Sequence, residues 1–203
     1  MTESERKQII ALIQREVIPA IGCTEPIAVA LCVAKATETL GAKPEKIKVL
    51  LSANILKNAM GVGIPGTGMI GLPIAVALGA LIGKSDYQLE VRKDTTPEAV
   101  EEGKKLIDEK RICISLKEDI TEKLYIEVTC EAGGEQATAI ISGGHTTFVY
   151  VAKGDEVLLN KQQTSGEEEE EETLELTLRK VYDFALTAPL DEIRFILETA
   201  RLN

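Results

Sequence analysis

Beyond residue 110 the hydrophobic pattern of this chain repeats at every second position, and that switch constrains the fold more than any other feature. Segments 111–116, 124–129, 137–141, 147–151 and 156–159 combine β-branched residues with a period of two and read as strands. Gly133-Gly134, Gly143-Gly144 and Gly154-Asp155 separate them, pairs whose tolerance of positive φ suits tight turns. The spacing predicts a meander of antiparallel hairpins. With no tryptophan and only 3% aromatic residues, the core has to be aliphatic.

Upstream the period is helical. Thr2 and Glu5 stand at capping-box spacing, and Ile9, Ile10, Ile13 and Val17 recur on one face, predicting a helix over 3–17 that stops near Pro19. A second helix is predicted to start at 24–26, with the Thr24 hydroxyl as cap and Pro26 in the first turn. Its stretch 27–34 is apolar all round, which places it centrally. Residues 47–51 read as a strand, 61–71 as a glycine-rich loop, and the stretch through Ala80 as a buried helix. A short strand at 87–91 and a helix at 97–109 follow. Helices first and hairpins after make an α+β pattern with a mostly antiparallel sheet.

The run Glu167–Glu172 comes after Ser165-Gly166, and adjacent like charges of this kind form a solvated stretch. The organisation predicted is an α+β domain at 1–165, an acidic linker at 166–172, and two closing helices within 173–203. The last helix is expected to carry Leu190, Ile193, Ile196, Leu197 and Ala200 on one face. It stops at Asn203 without a glycine cap, which suggests a longer natural chain continuing into a second half. An exposed face there would invite pairing, so a homodimer is a candidate assembly.

A formal charge of −10 repels phosphate backbones and anionic lipid, so neither nucleic acid nor a membrane is an expected partner. The longest apolar stretch, 69–83, falls short of the roughly 20 residues of a bilayer span. No export signal is recognisable at the N-terminus, and the four cysteines lack CxxC spacing, so a cytoplasmic location is expected.

Gly61, Gly63 and Gly66 match GxGxxG, with Asp86 downstream. The preceding strand ends some ten residues too early for a dinucleotide turn, and Pro65 removes a backbone donor. The glycines instead give a backbone able to approach a ligand or another element closely. Asn54, Lys57 and Asn58, just upstream, offer amide and ammonium donors for a carboxylate, or stand as surface groups. Cys23 follows Gly22 at the start of the second helix, where orphan N–H groups and the helix dipole favour a thiolate. Such a group is a base, a nucleophile or a metal ligand; the alternative is a small packing residue. Cys32, Cys113 and Cys130 lie in apolar patterns and read as packing residues. The one histidine, His145, sits in a glycine-flanked turn, site-like or structural.

Three segments are specific in combination. They are Gly22-Cys23-Thr24-Glu25-Pro26; Lys57-Asn58 followed by Gly61, Pro65-Gly66-Thr67-Gly68-Met69 and Gly71-Leu72-Pro73; and Gly143-Gly144-His145-Thr146. In them the chain resembles the cysteine desulfidase family, kin of the iron–sulfur serine dehydratase alpha chains, whose members are roughly twice as long. The resemblance implies a lyase that releases hydrogen sulfide from L-cysteine, or acts secondarily on serine, and yields pyruvate and ammonia. It implies Cys23 as base for the α-proton; chemistry and placement, not the resemblance, add His145 as a second catalytic candidate and suggest the roles that follow. Thr24, Glu25, Lys57 and Asn58, with Asn54, would bind the small amino-acid substrate. Gly66, Thr67 and Gly68, and Gly144 with Thr146, would shape the pocket around it.

A [4Fe-4S] cluster would act as Lewis acid in the full-length protein, its ligands lying in the missing half. None of Cys32, Cys113 or Cys130 matches those ligands, so no cofactor is expected in this chain. The implied partner is the C-terminal half of the same polypeptide or a separate subunit. Without chemistry, the same glycine loop would make an amino-acid-binding or scaffold module.

Overall fold

The computed structural model describes residues 1–161 and 175–202, so the acidic linker predicted at 166–172 lies outside the described residues. Its helices are α1 (Glu3–Glu16), α2 (Thr24–Leu40), α3 (Ala53–Ala59), α4 (Leu72–Ile82), α5 (Pro97–Asp108), α6 (Leu178–Thr187) and α7 (Ile196–Leu202). Its strands are β1 (Lys46–Leu51), β2 (Gly63–Ile64), β3 (Met69–Ile70), β4 (Ile112–Leu116), β5 (Tyr125–Ala132), β6 (Glu135–Ser142), β7 (Phe148–Lys153) and β8 (Glu156–Asn160). The fold is α+β, with a mostly antiparallel sheet. Two units divide the chain: Ala20–Thr164, and Met1–Pro19 with Ser165–Asn203.

In the larger unit, α2 buries 11 of its 17 residues, as its all-round apolar pattern requires. Its cap is Cys23 rather than Thr24, which occupies the first helical position and turns its hydroxyl to Glu25 Oε2 at 3.3 Å. One side of α2 faces the sheet, where the Cys32 thiol donates to the carbonyls of Ala139 (3.3 Å) and Ile126 (3.8 Å). α4 packs on another side of α2 so closely that a Cβ on Gly79 would stand 2.5 Å from the Ala30 carbonyl oxygen. α5 in turn lies on α4 through Gly103, where a Cβ would meet Ile74 Cδ1 at 3.0 Å. Small residues thus set the spacing of the helical layer.

The sheet runs in the order β4-β1-β5-β6-β7-β8. β5 to β8 form the predicted antiparallel meander, and Gly133 and Gly134 both take positive φ in the first of its turns. The hairpin expected between β4 and β5 is corrected. β1 inserts between them, antiparallel to β5 and parallel to β4, with Ile47 opposite Ile112 and Leu51 opposite Leu116. The intervening α3, α4 and α5 supply the long crossover that a parallel pair needs. On β5, Ile126, Val128 and Cys130 are buried while Glu127 and Thr129 are only half-buried, so the core lies on one face.

Two further expectations change. Residues 87–91 are not a strand: a 3-10 helix spans Ser85–Glu90, tightened by Tyr87 N–H to the Lys84 carbonyl and kinked at Gln88 (φ 51°). The short run carried too few residues to separate the two periods. The last helix begins at Ile196, so Leu190 and Ile193 lie outside it. After Pro189 the chain closes i→i−3 bonds, among them Glu192 N–H to the Pro189 carbonyl, and the 3.6-residue face is lost.

Within the smaller unit, α1 starts on the complete Thr2–Glu5 capping box. The Arg6 guanidinium pairs with both oxygens of Glu192 at 2.8 and 3.2 Å, and Lys180 reaches Glu5 at 3.3 Å. No helix among the described residues is long and apolar enough to cross a membrane.

Gly79→Ala should destabilise the fold by about 1–3 kcal/mol, because the added methyl meets backbone and not a flexible side-chain end. Urea unfolding checks this; an unchanged midpoint contradicts the close helix contact. A pH effect follows from Glu127. Burial raises its carboxyl, but hydrogen bonds from Lys117 and Tyr125 outweigh burial and hold it below the ordinary value of 4.5. Its stabilisation is therefore present above pH 4.5 and is lost as pH falls through the depressed folded-state value. Glu127→Gln should flatten that part of the acid-denaturation curve.

Candidate functional site

Strand register gathers several of the predicted residues at one end of the sheet. Leu51 pairs with Ile126 and Tyr125 with Ser142, so the end of β1, the start of β5 and the end of β6 lie together. α3 begins there, with Ser52 as its cap donating to the Lys123 carbonyl at 2.8 Å. The turn that carries His145 is there too, since Gly143 N–H donates to the Leu124 carbonyl. α2 runs in the direction of β5, for Cys32 bonds at Ile126 and Thr37 meets Cys130 at 3.6 Å. Nine residues back from Cys32 is about 14 Å of helix, or about four strand residues. Cys23, at the start of α2, therefore lies toward the same end of the sheet as the His145 turn, although no hydrogen bond joins the two.

Cys23 itself is held by a short tether. Ile21 N–H donates to the Leu89 carbonyl, and Arg92 Nη2 donates to the Ile21 carbonyl at 3.4 Å. Gly22 follows at φ +100°, and a Cβ there would come within 3.1 Å of Pro65 Cγ. The glycine-rich segment thus makes its close approach to another element, the Cys23 turn. From this turn the exposed Cys23 thiol donates to Glu25 Oε2 at 3.0 Å. Asn58 Nδ2, on α3, donates to the other oxygen of Glu25 at 3.2 Å.

The electrostatics overturn one expectation. The helix start was expected to favour a thiolate, but the hydrogen bond to Glu25, followed by burial, pushes the Cys23 thiol above its ordinary value of 9.0. The same bond holds the Glu25 carboxyl below 4.5. Glu25 occupies the first turn of α2, so its negative charge meets the helix dipole before the sulfur can use it. In this chain Cys23 is a thiol facing a carboxylate.

The other predicted residues divide. Gly66 and Gly68 take positive φ at the tip of the β2–β3 hairpin, where Thr67 donates to the Ile64 carbonyl at 2.7 Å and accepts from Met69 N–H at 3.0 Å. That hydroxyl serves the turn, and the GxGxxG spacing serves a hairpin. Asn54 shares a helical face with Asn58 but lines a depression with the 116–123 loop. Lys57 is exposed on α3. Gly144, His145 and Thr146 are half-buried in their turn, closed by Thr147 N–H to the Gly144 carbonyl.

Cys113 is exposed on edge strand β4 and not packed inside, while Cys32 and Cys130 are buried. Sequence reasoning missed Arg92: its side chain is buried, and its Nε has no hydrogen-bond partner among the described residues. Nothing in the sequence marks it, because its neighbours read as a strand.

The described residues do not fit an iron–sulfur cluster. Among them no group of three or more His, Cys, Asp or Glu side chains could hold a metal ion, and the buried thiols of Cys32 and Cys130 bond to carbonyls and to Thr37.

The fold and site define an α+β protein with an exposed cysteine–carboxylate pair at the start of its central helix. Over all 203 residues the chain is 98% identical to a UPF0597 protein of Bacteroides fragilis and 81% identical to one of Bacteroides thetaiotaomicron. It is also 48% identical over 209 residues to a UPF0597 protein of Porphyromonas gingivalis. Each match takes in the whole of this chain and only 47–48% of the relative, so the chain spans about half the length of these curated relatives. No family model matches the chain, and no solved structure matches it.

Iodoacetamide should label Cys23 and Cys113 in the folded chain, whereas Cys32, held well above 9.0 by burial, and Cys130, pushed up to about 11, should react only on unfolding. Mass mapping of the alkylated peptides checks the order; native labelling of Cys32 would contradict the packing of α2 on β5.

Proposed function

We propose that this chain is the N-terminal part of an iron–sulfur amino-acid lyase that acts on L-cysteine, with L-serine as the secondary substrate. One observation carries the reading: an exposed thiol at the start of a buried helix, hydrogen-bonded to a carboxylate and set beside a glycine-rich hairpin. The resemblance of the Gly22–Pro26, Gly61–Gly71 and Gly143–Thr146 segments to cysteine desulfidases supports it. The α-proton of an amino acid is weakly acidic, so elimination needs a base held close to it.

In the proposed lyase Cys23 takes that proton. Glu25 and Asn58 fix the thiol's orientation in the resting site, and Pro65 crowds the turn that presents it. His145, at the same end of the sheet, borders the substrate site. The proposal leaves the cluster to the part of the relatives that this chain does not span and routes no step through it. It also takes that part as the chain's partner. A cytoplasmic location belongs to the same proposal, supported by four cysteines that are all free.

The second reading, an amino-acid-binding module without chemistry, draws on the protonated state in which Glu25 holds Cys23. The full-length Bacteroides fragilis relative, reconstituted anaerobically with iron and sulfide, separates the two. The lyase should release sulfide and pyruvate from L-cysteine, and Cys23→Ser should lower that rate by about 10²-fold or more with iron content unchanged. Saturable binding of L-cysteine without product would leave the binding module standing.

A further inference from the structure

We infer that Glu25 receives the α-ammonium group of a small amino acid, and that this contact frees the Cys23 sulfur from its carboxylate partner so that it can act as a base. The inference rests on the reading of Cys23 as the proton acceptor, and it names what activates it.

The partners of Glu25 are neutral. Oε2 accepts from the Cys23 thiol and the Thr24 hydroxyl, at 3.0 and 3.3 Å, and Oε1 accepts from the Asn58 amide at 3.2 Å. Among the described residues no lysine or arginine pairs with it. A carboxylate offers about four acceptor positions, so three neutral donors leave it able to take a compact cation, which binds it more strongly than any of them. The thiol is the weakest of the three donors and is the one an ammonium displaces.

A second, independent observation points to a zwitterion and not to a simple amine. Arg92 is 2% exposed, has no salt bridge among the described residues, and leaves Nε without a hydrogen-bond partner. Its single bond, Nη2 to the Ile21 carbonyl, ends two residues before Cys23. A buried cation without a counter-charge is costly, and an anionic group arriving at the Ile21–Cys23 turn offsets that cost. Glu25, bonded to the sulfur, and Arg92, bonded to the Ile21 carbonyl two residues before it, supply the opposite charges that an α-amino acid needs.

The proton balance is simple. Bound ammonium neutralises the field of Glu25 and displaces the S–H···Oε2 hydrogen bond, and the covalent S–H bond then breaks, its proton going to water and its electron pair staying on sulfur. The thiolate lone pair is then free to take the Cα proton. Of the elements around the sulfur, α2 contributes the charge of Glu25, while α3 contributes neutral Asn58 beside exposed Lys57. The β2–β3 hairpin contributes uncharged Pro65.

The test is the pH dependence of Cys23 alkylation by iodoacetamide, read by mass mapping in this chain and in the full-length relative. Saturating L-alanine, which has both charges and no leaving group, should lower the midpoint by about one pH unit, a tenfold gain in thiolate at fixed pH. Propionate, which lacks the ammonium, should leave it in place. Glu25→Gln should start from the lowered midpoint and ignore L-alanine, while Glu25→Asp should keep the response if the glutamine variant does not fold. Arg92→Met should weaken the L-alanine response by tenfold or more in concentration. An unmoved midpoint with L-alanine, or a Glu25→Gln midpoint equal to that of the parent, overturns the inference. A midpoint that moves in a protein releasing no sulfide from L-cysteine would instead sink the lyase reading and leave the receptor intact.

Discussion

The whole arrangement depends on how closely α4 can approach α2. Gly79 lets the two backbones meet, and Gly103 repeats the device one helix further out. A helix as apolar as α2 has to be covered on every side, and close contact with α4 adds to the cover given by the sheet, α3 and the Ser85–Glu90 turn. With α2 fixed by packing along its length, its first turn becomes a rigid mount. Cys23 and Glu25 are therefore placed by the core, while Asn58 and Pro65 come to them from separate elements.

Much of this was legible in residue order. The change of period after residue 110 gave β5 to β8 and their glycine turns because each hairpin is a local object, specified by its own strands and turn. The capping box at Thr2, the proline start of α5 and the apolar α2 were equally local. What stayed hidden was non-local. Nothing in the pattern of β1 says that it separates β4 from β5, since that depends on a crossover through three helices. The Ser85–Glu90 turn and the start of α7 were too short, or too close to a proline, for periodicity to decide.

At the site the same division holds. Cys23, Thr24, Glu25 and the glycine loop stood out by composition and by resemblance, and the structure brings Cys23, Glu25, Asn58 and Pro65 together. The sign of the electrostatics did not stand out. A cysteine at a helix start reads as a thiolate until the rotamer of Glu25 is known, because a carboxylate two residues on reverses the effect of the dipole. Arg92 was invisible for a similar reason: burial of a lone guanidinium is a property of the surroundings and not of the residue.

The parallel pairing of β1 with β4 has a consequence for the order in which the chain assembles. During synthesis α2 and β1 emerge well before β4, β5 and β6, the strands that must flank and cover them. Contacts so distant in sequence form slowly, because the loop entropy between them has to be overcome first. The longest helix in the unit thus waits for its shelter, and a nascent chain stalled before residue 142 would leave that surface open to chaperones or to its neighbours.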